Sequence, residues 1–304
     1  NEPATTKFGT TAFVLIVGIP AFATVLFGGV DTGTWGILVP LIAAIVVCWI
    51  AHSFATRTFS ISKNALQIPL IGLILIGLVQ ILPMQVTRSL DPYNTRLFLI
   101  RLVCYLAFFA AALVFVNTER RVKVIAFGTV IFGAVMAFAA TLQRLASPEA
   151  IYGFREPFQA IPFGPFVNQH HFAGFMEMTG SLATAFVLSE TIKREKKLLL
   201  GLAAVIMALA CVLTSSRGGL ACFVAGVIFG VITMRKGAVA SKTQNADSYR
   251  SIGVALALFA LIVVALVIFV GGDQSLLRGI GLQQASNDIS SGRLHFWSVA
   301  LNIF

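Results

Sequence analysis

Long apolar runs separated by short polar segments make up most of this chain. A helix needs about 20 mainly apolar residues to cross a bilayer, and runs of that length recur throughout the sequence. They predict membrane spans at 10–29, 34–54, 66–83, 97–117, 122–145, 170–190, 198–215, 217–234 and 251–271. A tenth run starts near Leu294, and the sequence stops at Phe304, after about half a bilayer core. The expected fold is an all-α polytopic transmembrane bundle, a single domain over 1–304 with about nine complete spans and a truncated tenth.

The polar segments between the runs predict the orientation. Segments on the same side of the membrane as the N-terminus carry twice as many Lys and Arg residues as the segments on the opposite side. Cytoplasmic loops are enriched in these residues, so the N-terminus is expected to be cytoplasmic. The chain would then be a multi-pass protein of the bacterial inner membrane.

Composition agrees with this interpretation. Of the residues, 58% are hydrophobic and 11% are charged, whereas soluble domains carry about 25% charged residues. The net charge of +10 is spread over many short loops and not gathered on one face, which argues against a nucleic-acid partner. The four cysteines lie within apolar runs without CxxC spacing and are expected to be buried side chains. We predict no metal site and no cofactor.

Three polar segments stand at the starts of predicted helices on the outer face. Asn168 is a natural N-cap for the sixth span, and Ser215 or Ser216 can cap the eighth, directly before Arg217. Arg293 opens the tenth span. Because helix N-termini attract anions, the segments together predict a site for a phosphorylated group. Ordinary helix capping, with long side chains reaching to the interface, remains the alternative.

Further candidate residues lie within or beside these spans. Arg101 and Glu177 fall inside the fourth and sixth spans, and intramembrane charges are candidates for function. The two could pair in the outer half of the membrane, either to bind substrate or to stabilise the fold. His171 could act as a hydrogen-bond donor or base at the start of the sixth span, or be a plain interfacial residue. The segment 146–169, rich in Pro and Phe, is expected to lie on the membrane surface.

Two motifs resemble those of the O-antigen ligase and O-antigen polymerase family. The first is Phe166-Val-Asn-Gln-His-His-Phe-Ala173, and the second is Leu213-Thr-Ser-Ser-Arg-Gly-Gly219. An Arg-x3-Trp stretch follows at Arg293 to Trp297. His170 departs from the pattern, because the family commonly has Asn there. The resemblance covers about 160–304, a region that would be incomplete at its C-terminus.

The resemblance implies a membrane glycosyltransferase whose active face is periplasmic. Such an enzyme takes a glycan from undecaprenyl pyrophosphate and joins it to a saccharide or to lipid A–core, without a metal. Arg217 and Arg293 would hold the pyrophosphate as catalytic residues. The positions of Asn168, Ser216, Arg101 and Glu177, and not the resemblance, make these four the candidates for substrate binding. The family's essential His, in a later outer loop, has no counterpart in this sequence, which leaves His171 as the candidate base.

Two functions of other classes remain open alongside the enzyme. A transporter or flippase of a lipid-linked glycan or anionic substrate would be expected to show internal repeats and broken helices near the midplane. A non-catalytic scaffold in polysaccharide assembly is the other alternative.

Overall fold

A computed structural model describes residues 6–82, 89–189, 192–240 and 293–303, with 234–240, 293, 294 and 303 described by their backbone alone. These ranges are almost entirely helical, and their only β features are two isolated bridges in the segment before α6. The helices are α1 (Lys7–Val25), α2 (Thr32–Thr56), α3 (Ile68–Ile81), α4 (Pro92–Phe115), α5 (Glu119–Ala146), α6 (Gln169–Leu188), α7 (Arg194–Leu213), α8 (Arg217–Ala240) and α9 (Arg293–Ile303).

The all-α prediction is confirmed, and α1 to α8 coincide with the first eight predicted spans within a few residues. Five helices, α1, α2, α4, α5 and α7, are long and apolar enough to cross a membrane. The chain is therefore a membrane protein. The ninth predicted span, 251–271, lies outside the described residues. The total of about nine spans and the cytoplasmic N-terminus stay predictions.

The chain divides into two compact units, Asn1–Ala126 and Phe127–Phe304, and the single domain over 1–304 stays a prediction. The core of the first unit forms where α1, α2 and α4 pack together. Ala12, Ile45 and Ala111 are completely buried there, and Phe115 is nearly so. The small side chains of Ala12 and Ala111 let the helices approach closely, as is common between membrane helices.

Two polar side chains at helix ends of the first unit have partners within that unit. The Thr6 hydroxyl lies 2.6 Å from Nδ1 of His52 and also accepts a hydrogen bond from the backbone N–H of Gly9, at the start of α1. Arg121 donates to the carbonyl oxygen of Phe115 at 2.7 Å, near the last turn of α4. These contacts tie the start of α1 to the end of α2, and the end of α4 to the start of α5.

The second unit is built on close packing of α5, α6 and α7. A methyl group added at Gly133 of α5 would stand 2.7 Å from Cβ of Thr179 in α6 and 3.1 Å from Sδ of Met207 in α7. Thr179 and Met207 are completely or almost completely buried. Stacking of Phe127 on Phe186, with ring centroids 4.5 Å apart, joins the start of α5 to the end of α6.

The segment before α6 is packed into the second unit, which a loop lying on the membrane surface would not be. Phe163 is only 1% exposed, and Ile151 is completely buried. The side-chain amide of Gln143 in α5 donates to the carbonyl oxygens of Ala150 and Gly164, both at 3.1 Å. Gly164 has a φ of +56° and lies so close to α5 that an added methyl group would meet Ala140. The segment is therefore partly buried in the second unit, and the position of its exposed residues at the membrane surface stays a prediction.

Candidate functional site

The helix α6 starts with the expected N-cap. Asn168 has an extended backbone, and its side-chain oxygen accepts a hydrogen bond from the backbone N–H of His170 at 2.8 Å. The backbone N–H of Gln169 donates to the carbonyl oxygen of Ile161 at 2.8 Å, which fixes the start of α6 to the preceding segment. The first turn of α6 contains no acidic residue.

The helix α8 starts directly after a tight turn from α7. Ser215 takes the left-handed conformation, with φ +55°, and Ser216 then caps the helix. The hydroxyl oxygen of Ser216 accepts from the backbone N–H of Gly219 at 3.3 Å. The sequence predicted either Ser215 or Ser216 as the N-cap of α8, and in the structure the N-cap is Ser216. Arg217 is the first residue of α8.

The two helix starts lie side by side. A methyl group added at Gly219 would stand 2.6 Å from Cβ of Ala173, so α6 and α8 are in close contact in their first turns. Further along, Gly226 of α8 packs against Ser181 of α6. Because both pairs are separated by about the same number of residues, the helices run parallel, and their N-termini point in the same direction.

Glycine at position 219 is what permits this approach. Gly218 is exposed and has open space around it. In the GxxxG pair of α8, Gly226 packs closely against α6, whereas a methyl group added at Gly230 would meet nothing within 4 Å.

The electrostatics of this pair of helix starts favour an anion. Each helix dipole gives its N-terminus a partial positive charge, and both caps, Asn168 and Ser216, are neutral. Arg217 adds a full positive charge at the N-terminus of α8. A cation at this end is unfavourable for the helix, because the helix dipole is already positive there. Backbone N–H groups, two parallel helix dipoles and Arg217, the first residue of α8, thus lie at one end of the second unit. Such an arrangement can bind phosphate oxygens.

The other candidate residues of α6 differ in their surroundings. His171, in the first turn, is exposed. Glu177 lies about two turns further into the helix and is half-buried, close to the Cys222 thiol of α8. Cys222 is exposed, contrary to the expectation that all four cysteines are buried, while Cys211 of α7 is completely buried.

Two candidate arginines lie elsewhere. Arg101 belongs to the first unit, where its guanidinium carbon is 5.1 Å from the centroid of the Trp35 ring, a cation–π contact. Since α4 starts at Pro92, Arg101 is about two and a half turns from that end, deeper than the predicted span start implied. Its pairing with Glu177 stays a prediction. Arg293 is the first residue of α9, and its side chain lies outside the described residues.

Comparison with known proteins gives one family match, over part of the chain. Residues 202–304 match the O-antigen ligase family model. The predicted resemblance is confirmed over this part, which contains Ser216, Arg217 and Arg293. A search of curated proteins gave no match, and a search of solved structures gave none either. The O-antigen ligase region supports a function of the ligase or polymerase type, in which lipid-linked glycans are joined to acceptors in a membrane.

The residues that match the O-antigen ligase model pack against a helix that lies outside the match. The matched helix α8 packs on α6, whose Asn168 and His171 precede the matched residues. Two residues that shape this arrangement, Ala173 and Gln143, were not among the predicted site residues. Ala173 belongs to the first motif and was visible as a small residue in the first turn of α6. Gln143 is a polar side chain near the end of the apolar helix α5, and that isolated polarity was the available signal.

Proposed function

We propose that this protein transfers a glycan from undecaprenyl pyrophosphate to a saccharide or lipid A–core acceptor at the periplasmic face of the bacterial inner membrane. The observation that carries the proposal is the side-by-side arrangement of the α6 and α8 N-termini, with Arg217 at the first position of α8. The O-antigen ligase match over 202–304 supports it, because that match includes Arg217.

The donor's pyrophosphate is the group that these helix starts suit. Backbone N–H groups of the first turns can donate to its oxygens, and Arg217 can bind two of them with its planar guanidinium. The Oδ1 atom of Asn168 is used in the cap, so its Nδ2 is the atom that can donate to phosphate. Ser216 is buried and contributes by shaping the start of α8. We assign Arg293 a second cationic contact to the pyrophosphate.

The reaction needs no redox step. The acceptor hydroxyl oxygen attacks the anomeric carbon of the donor sugar from the face opposite the pyrophosphate. The bond between that carbon and the phosphate oxygen breaks, its electron pair stays on undecaprenyl pyrophosphate, and the sugar configuration inverts. The acceptor proton passes to a base, for which we propose His171. Fixed cations and N–H groups stabilise the charge that develops on the leaving pyrophosphate, which removes the need for a metal.

Glu177 and Arg101 have different proposed roles in substrate binding. The Glu177 carboxylate of α6, about two turns from the start of that helix, lies close to the Cys222 thiol of α8. We propose that Glu177 supports the alignment of the two helices on which binding depends. Arg101 is proposed to contact the donor or to pair with Glu177.

The test is glycan transfer by the full-length protein with Arg217→Ala. Removal of one fixed group that stabilises developing charge typically lowers kcat about a hundredfold or more, and we expect a loss of that size. Arg194→Ala is the matched control, because Arg194 is the first residue of α7, at the opposite end of the helices that α7 joins. Full transfer by the Arg217→Ala protein, or equal losses in both variants, would contradict the proposal.

A further inference from the structure

The segment between α5 and α6 carries four large apolar side chains at its tips. Phe158 is 89% exposed and Phe154 is 74% exposed. Tyr152 and Ile161 are also exposed. We define these four residues as the apolar wedge.

Hydrogen bonds fix the backbone of the segment that carries the apolar wedge. Ile151 and Arg155 pair through backbone hydrogen bonds of 2.8 and 3.1 Å, which close a tight turn carrying Tyr152 and Phe154. Phe163 and Phe166 form a second such pair, with both hydrogen bonds at 3.1 Å. Gln143 ties both parts of the segment to α5. The wedge therefore projects from a rigid support.

The exposed apolar surface of α5 leads directly into this segment. Phe138, Leu142 and Leu145 are each exposed by half or more and recur at helical spacing, so they form one stripe on α5. Since α5 is one of the helices long and apolar enough to span a membrane, its exposed apolar stripe is suited to contact with lipid. The segment begins one residue after the stripe's last member, at the end of α5.

We propose that the apolar wedge inserts into the lipid leaflet beside the start of α6 and sets the depth of that helix start in the membrane. Rings of Phe and Tyr are suited to the boundary between headgroups and acyl chains. Interfacial apolar faces enter that boundary by about 5–10 Å. The hydrogen bond from Gln169 N–H to the Ile161 carbonyl oxygen connects the wedge to the first residue of α6. The inference does not depend on the proposed function.

The test places a tryptophan in the wedge of the full-length protein. Phe158→Trp and, separately, Phe154→Trp are reconstituted in phosphatidylcholine vesicles whose acyl chains carry bromine, a quencher of tryptophan fluorescence. Emission is taken as the difference from the unsubstituted protein, which contains Trp35, Trp49 and Trp297. Glu149→Trp is the matched control, since Glu149 is an exposed polar residue of the same segment.

We expect the added fluorescence of both wedge variants to be blue-shifted, and to be quenched most by bromine near the headgroup end of the acyl chain. The Glu149→Trp signal should be water-like and largely unquenched. Equal quenching of the wedge and control variants would overturn the proposal. Quenching that disappears when a lipid-linked glycan is added would also overturn it, because the wedge would then be a substrate surface.

Discussion

The two units of the chain differ in how they complete the helix starts on the predicted outer side. In the first unit, α2 and α4 have Asp31 and Asp91 at their N-cap positions. In the second unit, α6 and α8 have the neutral caps Asn168 and Ser216. The first unit therefore supplies a carboxylate at each of these positive helix ends, and the second unit supplies none.

Asp91 shows what an acidic cap does. Its carboxylate accepts a hydrogen bond from the backbone N–H of Asn94 at 3.0 Å, and this bond is the main reason why the pKa of Asp91 lies below its ordinary value. The start of α4 is thus neutralised by the chain itself. At α8 the first residue is instead Arg217, which adds to the positive charge. Because their starts carry no carboxylate of this kind, α6 and α8 are suited to an anion that comes from a ligand.

A neutral cap beside a cation is not sufficient for such a site. The helix α1 also has a neutral cap, Thr6, followed by Lys7, and no acid in its first turn. There the cap residue is bonded to His52, and the helix lies at the predicted cytoplasmic end. What distinguishes α6 and α8 is that two parallel N-termini adjoin, through Ala173 and Gly219.

The largest effect is expected from separating the two helix starts. In Gly219→Leu the new side chain collides with Ala173, and overpacking of this kind costs about 1–3 kcal/mol of stability. We expect a lower unfolding temperature and a loss of glycan transfer. Gly218→Ala is the control, because Gly218 has open space around it. Wild-type transfer by Gly219→Leu would show that close contact of α6 with α8 is unnecessary.

An intermediate effect is expected from giving α6 the kind of cap that α4 has. Asn and Asp are equally good N-caps, so Asn168→Asp should leave the unfolding temperature nearly unchanged. Its carboxylate would repel the pyrophosphate, and one such charge at close range lowers transfer by at least about tenfold. The reverse change, Asp91→Asn, should leave transfer unaltered. If both variants transfer normally, the contrast between the two units has no functional meaning.

The smallest effect concerns acid stability. Because the pKa of Asp91 is lowered in the folded protein, its contribution is fully present above the unfolded-state pKa, about 3.9 for an aspartate. It is lost as the pH falls through the lower, folded value. We expect the unfolding temperature of the wild type to drop more over this range than that of Asp91→Asn. If the unfolding temperatures of the two proteins fall equally with pH, the Asp91 carboxylate does not stabilise the folded protein.

Much of the local structure could be predicted from sequence. Apolar runs identified α1 to α8, because membrane helices leave an unbroken hydrophobic signal. Asn168 was predicted as a cap, since side-chain acceptors precede helices whose first N–H groups lack partners. The start of α4 was placed too late, although Asp91 followed by Pro92 is a common cap and first-turn pair.

Contacts between distant segments could not be predicted in the same way. The pairing of Ala173 with Gly219 depends on how α6 and α8 pack, and hydropathy fixes no such register. The burial of Phe163 was missed because Pro-rich and Phe-rich segments are compatible with either a surface loop or a packed one. Gln143 decides between these by binding the backbone of the segment. The roles proposed for Arg217, Arg293 and His171 rest on chemistry and resemblance.

Binding of undecaprenyl pyrophosphate to the full-length protein in lipid nanodiscs tests the central claim most directly. The claim is that the paired starts of α6 and α8 bind the donor's pyrophosphate. We predict clearly weaker binding by Arg217→Ala and Asn168→Asp than by the wild type, with Arg194→Ala and Asp91→Asn unchanged. Equal affinity of all five proteins for undecaprenyl pyrophosphate would contradict the account.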